Sequence, residues 1–152
     1  FPSLAEHASA FGGAGNDQIT ASGANYDRIR GDDGTDRLIG NVDSSDDFWL
    51  QYDRGMDVVY GYRSGAGDDH ILIDSDEFGT STQFGFLTDG EFGSGPSGDM
   101  PTFDATERLY YDTTNNILWA DKDGGGSAFT PVPIATFSWN SADPDFTKIF
   151  VI

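Results

Sequence analysis

Six aspartates recur along the first half of the chain, each followed two positions later by an apolar residue. They are Asp17 with Ile19, Asp27 with Ile29, Asp36 with Leu38, Asp46 with Phe48, Asp57 with Val59 and Asp69 with Ile71. The intervals between successive aspartates are 10, 9, 10, 11 and 12 residues. Carboxylates repeated at near-constant spacing, with glycines just upstream, are suited to hard cations. Such ions take oxygen ligands, and loops with exposed carbonyls complete the shell that one carboxylate starts.

The elements that must hold these carboxylates follow from the same spacing. In Gly12-Gly13-Ala14-Gly15-Asn16-Asp17-Gln18-Ile19-Thr20 the glycines permit a turn with φ > 0, the aspartate closes it, and one aliphatic residue points inward. The unit at 31–39, Gly31-Asp32-Asp33-Gly34-Thr35-Asp36-Arg37-Leu38-Ile39, keeps both outer glycines, and the unit at 64–72 is nearly complete. The second unit keeps only Gly23, with Asn25 where the last glycine would sit; Asn tolerates a left-handed backbone best among the other residues. The fourth, at 40–48, is degenerate and one residue too long, and the fifth keeps only Gly55. One unit reads as a tight loop plus a short strand, and two units as one full turn of a parallel β-roll. Ile19, Ile29, Leu38, Phe48, Val59 and Ile71 then form the core stripe. Loops one, three and five share one edge of the roll, and two, four and six the other. Asp17 should face Asp36 across the first edge.

The pattern G-G-x-G-x-D-x-U-x in units one, three and six resembles the calcium-binding nonapeptide of the RTX (hemolysin-type) proteins. The resemblance implies a short parallel β-roll over 11–73 that binds several Ca²⁺ ions. It implies metal ligands at Asp17, Asp27, Asp36, Asp46, Asp57 and Asp69, and at the loop positions Gly12, Ala14, Gly31, Asp32, Asp33 and Gly34. A β-solenoid can stack without metal, but 14 aspartates lie between residues 11 and 76, and without cations their loops would repel one another.

Composition agrees. The 152 residues carry 26 acidic and 8 basic side chains, a formal charge of −18; 22 of the acids are Asp and 4 are Glu. Asp favours turns and Glu favours helices, so the skew, with 20 glycines, describes a helix-poor, turn-rich chain. So large a negative charge, with no basic patch, excludes nucleic acid as the natural partner and disfavours an anionic membrane surface. No run is apolar enough to span a bilayer. There is no cysteine, hence no disulfide and no thiolate site. The start at Phe1 reads as that of a fragment or processed product. His7 reads as a surface residue and His70 as an outward strand position, neither a metal ligand. There is no G-x-S-x-G, H-E-x-x-H or cysteine nucleophile, and paired carboxylates are too common to single out a catalytic pair. The chain is expected to be non-catalytic, although it could be the non-catalytic part of a secreted enzyme.

Residues 1–10 form a lead-in with room for one helical turn after Pro2. Residues 74–103 stay unassigned. Phe78, Phe84, Phe86, Leu87 and Phe92 read as core and cap contacts, with packing preferred over an aromatic sugar platform. Gly93–Asp99 reads as a loop. Strands are expected over 108–111, 117–120 and 132–137, separated by turns at 112–116 and 121–127. Asp121-Lys122-Asp123-Gly124 superficially resembles an EF-hand loop, but Gly125 holds the third ligand position and no bidentate Glu follows. Arg108–Asp112, Leu118–Gly124 and Asp145-Phe146 before Ile149–Ile152 resemble the C-terminal end of RTX proteins. That implies a secretion signal at the end and the type I secretion machinery as a partner. The expected whole is all-β and one continuous domain: lead-in, roll over 11–73, and an antiparallel, sandwich-like cap over 74–152. By resemblance it is an extracellular bacterial module attached to an upstream domain of the same polypeptide. Its alternative role is calcium-dependent polysaccharide or surface binding, as in epimerase repeat modules.

Overall fold

A computed structural model describes residues 8–23, 26–65, 69–81, 83–138 and 140–152. It is nearly all β. The first seven strands are β1 (Ala8–Ala14), β2 (Gln18–Thr20), β3 (Asp27–Asp33), β4 (Arg37–Ile39), β5 (Asp46–Trp49), β6 (Asp57–Tyr60) and β7 (His70–Ile73). They alternate between two sheets, β1-β3-β5-β7 in one and β2-β4-β6 in the other, all parallel. This is a parallel roll in which two units make one coil. Ile19 registers with Leu38 and Leu38 with Val59 in one sheet, and Ile29 with Phe48 and Phe48 with Ile71 in the other. All six are buried, as the Asp-x-apolar spacing requires.

The cause is the period of two along a strand. Each unit has an apolar residue two after its aspartate, so both fall on the inward face. The residue between them points out, as Arg28, Arg37, Asp47, Val58 and His70 do. None of these five is buried.

The C-terminal half does not build a sandwich of its own. After helix α1 (Ser75–Phe78) come β8 (Gly85–Phe86), β9 (Phe92–Gly95), β10 (Leu109–Asp112), β11 (Ile117–Ala120), β12 (Val132–Phe137) and β13 (Ile149–Val151). β12 pairs parallel with β6, and β11, β10 and β9 continue that sheet. β13 pairs parallel with β7 and carries β8 antiparallel. The late strands therefore extend both sheets of the roll. Tyr62, fully buried, joins the halves by edge-on contacts to Phe48 at 6.0 Å and Phe137 at 5.4 Å between ring centroids.

The expected strand 108–111 is shifted by one. Arg108 instead donates its Nε to the Gly79 carbonyl at 2.9 Å, tying the loop after α1 to the β9–β10 region. Gly93–Gly95, read as loop, are edge strand: the absence of a side chain at Gly93 and Gly95 lets Tyr110, and at Gly93 also Glu107, lie against the backbone. Phe78 and Leu87 are buried as expected and Phe92 packs on the core, but Phe84 and Phe86 are exposed, to 78 % and 52 %. Ala8–Ala10 of the lead-in begin β1. The helical turn after Pro2 and His7 fall outside the described residues, as do Asn25 and the Ala66-Gly67-Asp68 part of the sixth unit. No helix among the described residues is long and apolar enough to cross a membrane.

One glycine column keeps the first-edge loops in register. Gly15, Gly34 and Gly55 have φ of 116°, 148° and 131°. A Cβ on Gly34 would overlap the Gly15 carbonyl, and one on Gly55 the Gly34 carbonyl. This is why the otherwise degenerate fifth unit retains Gly55. Gly34→Ala is expected to destabilise the fold by about 2 kcal/mol or more. Gly98→Ala, at a position with open space around it, should leave the melting temperature unchanged. Thermal melts of the two variants check this.

Candidate functional site

The first edge carries three loops that superimpose position by position: Gly12–Asp17, Gly31–Asp36 and Tyr52–Asp57. The second position of each is left-handed, with φ of 93° at Gly13, 67° at Asp32 and 52° at Asp53. The sequence pattern missed this equivalence in the fifth unit because an aspartate stands there for glycine. Asp is among the few side chains that tolerate that region.

The closing aspartates form a ladder. Asp36 Oδ1 accepts the backbone N–H of Asp17 at 2.7 Å, and Asp57 Oδ1 accepts that of Asp36 at 3.1 Å. Asp17 and Asp36 are thus brought together as expected. On the second edge Asp69 Oδ1 accepts the N–H of Asp46 at 2.9 Å, and Asp46 in turn accepts from the backbone of Asp27. Each carboxylate also closes its own loop there. Asp27 Oδ2 accepts from Ser22 N and Oγ, Asp46 Oδ2 from Asn41 N at 2.7 Å, and Asp69 Oδ2 from Arg63 N at 2.8 Å. The six aspartates selected from the repeat therefore occupy two files, one per edge. Asp27, Asp36, Asp46, Asp57 and Asp69 are buried.

Burying carboxylates in files disfavours their charge. Asp57 is pushed up to about 7, first by burial and then by the neighbouring Asp36 carboxylate, against the lowering effect of the Asp36 N–H. Burial likewise raises Asp46 and Asp69. Further, one oxygen in each of Asp17, Asp36 and Asp27 is buried without a hydrogen-bond donor: Asp17 Oδ2, Asp36 Oδ2 and Asp27 Oδ1. A buried, donor-less carboxylate oxygen is what a hard cation would satisfy, so this donor set fits Ca²⁺. Among the described residues no three acidic or histidine side chains converge as a metal cage. Loop carbonyls would have to supply most of the shell.

The other sequence-selected loop residues separate into two kinds. Gly12 and Gly31 lie against Asp17 Oδ2 and Asp36 Oδ2, leaving no room for a Cβ. Ala14 and Gly34 are backbone positions of the same stack; Ala14 registers with Asp33, and Gly34 N donates to the Arg54 carbonyl at 2.9 Å. The side chains of Asp32 and Asp33 do not join the file. Asp32 pairs with Arg30 at 2.6 Å, and Asp33, at the surface, with Arg54 at 2.9 Å.

A second feature lies on the outer face of the β1-β3-β5-β7-β13-β8 sheet. A groove of about 530 Å³ has an apolar wall of Leu72, Phe84, Phe86 and Phe150 and a polar end of Arg28, Asp47 and His70. Phe84 and Phe86 each meet Phe150 edge-on at 5.3 Å. Asp47 lies 3.5 Å from both Arg28 Nη2 and His70 Nδ1. His70 thus faces outward as read. The groove was invisible in sequence, because its walls come from five strands spread from Arg28 to Phe150.

No family model, curated protein or solved structure matches the chain.

The raised Asp57 pKa has a consequence in chelator. The folded chain holds a proton at Asp57 up to about pH 7, whereas the unfolded chain loses it near 3.8. Folded-state stability therefore falls as pH rises through that window, by about 1.4 kcal/mol per pH unit. Asp57→Asn keeps an Oδ1 acceptor and carries no charge. In chelator its folded fraction should exceed that of wild type at pH 7 and equal it near pH 4, as read by the far-UV circular dichroism strand signal at the two pH values.

Proposed function

We propose that this chain is a calcium-responsive β-roll module of the RTX type, the non-catalytic part of a larger extracellular bacterial protein. The observation that carries this is the first-edge file of aspartates, in which Asp17 and Asp36 each keep one buried oxygen without a donor. Asp17, Asp36 and Asp57, with carbonyls of the loops 12–16 and 31–35, would hold the ions. Ca²⁺ would supply the positive charge that the file lacks. This chain's own residues do the rest. The glycine column spaces the loops, the Asp-to-N–H bonds register the coils, and the apolar stripe buries only once the loops are closed.

The mechanism is linkage. A cation that binds only the closed loops adds its binding free energy to folding. Where calcium is scarce, the charge of −18 holds the chain open, which suits passage through a type I secretion channel. In a calcium-rich exterior the roll closes and stabilises the upstream domain to which it is joined. Far-UV circular dichroism in EGTA and then in calcium tests this. The strand signal should be weak in EGTA and appear on adding calcium; a full, unchanged strand signal in EGTA would sink the folding switch. Asp36→Asn should weaken calcium binding by at least about tenfold, a loss of about 1.4 kcal/mol, while the surface variant Asp99→Asn leaves it unchanged. Isothermal titration reads both.

A second reading, a surface- or glycan-binding module, is favoured by the groove. Its polar end pairs an acid with a base and a histidine, offering donors and acceptors without strong net charge, beside exposed rings. The overall charge repels polyanions, so a neutral saccharide is the class that fits. Affinity-gel retardation on neutral polysaccharide should be present in calcium and lost in Phe84→Ala/Phe86→Ala; no retardation of the wild type removes this reading.

A further inference from the structure

The levels of the roll neutralise their carboxylates by different means. On the first edge Asp17 Oδ2 and Asp36 Oδ2 have no donor, and at the start of the second edge neither has Asp27 Oδ1. On the second edge, between the fourth loop (40–46) and the sixth (61–69), a guanidinium is inserted. Arg63 Nη1 donates to the Val42 carbonyl at 2.6 Å, and Nη2 donates to the Ser44 carbonyl and lies 3.5 Å from Asp69 Oδ1. Its own backbone N–H closes on Asp69 Oδ2 at 2.8 Å. Ser44 Oγ meanwhile donates to Asp46 Oδ1 at 3.2 Å. Two loop carbonyls and a buried carboxylate thus converge on one positive group. Carbonyls and carboxylate oxygens from adjacent loops are the donor types a calcium ion takes. An arginine presents a fixed fork of donors to the same oxygens and is never deprotonated.

We infer that Arg63 is a built-in counter-ion that takes the place of a divalent cation between the fourth and sixth loops. This level of the second edge then closes without metal, and calcium dependence rests on the levels whose carboxylate oxygens lack a donor, those of Asp17, Asp36 and Asp27. The sixth loop is also the longest interval of the series, 12 residues from Asp57 to Asp69.

The ion count in this inference rests on the calcium reading; the counter-ion role does not. The test compares wild type, Arg63→Met, which keeps the apolar stem and removes the charge, and Arg63→Met/Asp69→Asn, which removes both partners. Conditions are wild-type-folding concentrations of Mg²⁺-free calcium, and a partial calcium level at which wild type is half-saturated. At partial calcium, Arg63→Met is expected to melt about 5 °C or more below wild type. The double variant should recover most of that loss, because no buried charge is then left alone. In saturating calcium, equilibrium dialysis should find one more bound ion in Arg63→Met than in wild type, and no extra ion in the double variant. Equal melting of wild type and Arg63→Met overturns the counter-ion role, as does a loss that the double variant fails to recover. An unchanged ion count in Arg63→Met, where wild type binds calcium, overturns the replacement of metal. If wild type binds no calcium at all, the calcium reading fails separately, and the melting comparison in buffer alone still decides the counter-ion role.

Discussion

Buried carboxylates that bond to the backbone of the neighbouring coil are the constraint on which the rest of this fold depends. Asp36 and Asp57 reach back to the N–H of Asp17 and Asp36, and Asp69 reaches back to Asp46. Each bond fixes the stagger of one coil on the next and satisfies a backbone donor at a loop corner, where no strand partner exists. It also draws an acid out of water. Registration and charge burial come from the same atoms, so the fold cannot have the first without the second. That is why positive charge at the loops, from protons, metal or arginine, bears on whether the roll closes.

The apolar stripe depends on that registration. Ile19, Leu38 and Val59 on one side and Ile29, Phe48 and Ile71 on the other are buried only when coils stack one above another. A slip of one residue along a strand would turn every one of these outward. The aspartates two positions before them are therefore the registration device of the core. The late strands profit from the same order: β12 and β13 add to the open edges of β6 and β7, which cover them.

Much of this was legible in the sequence, because the repeat is local. Asp-x-apolar spacing sufficed for the inward residues, the alternation of edges and the facing of Asp17 with Asp36. The strands at 117–120 and 132–137 were legible too, since turn residues bound them. What escaped depends on distant partners or on one residue type standing for another. Asp53 fills a left-handed position that a search for glycine passes over. Ala135 pairs with Asp57 across 78 residues, so no local pattern could reveal that the C-terminal strands extend the roll. Phe84 and Phe86 look like core residues by type, yet β8 is the outer strand of its sheet, and Phe86 in it and Phe84 just before it face solvent. Arg63 sits in a glycine- and serine-containing stretch with no mark of its role until its guanidinium is seen between two loops.

The ladder itself offers the most direct observable. The N–H groups of Asp17, Asp36 and Asp46 are its donors, and amide hydrogen exchange reads each one separately. If cations hold the first-edge carboxylates in place, the Asp17 and Asp36 amides should be strongly protected in calcium and exchange freely in EGTA. Equal protection of these two amides in calcium and in EGTA would contradict it.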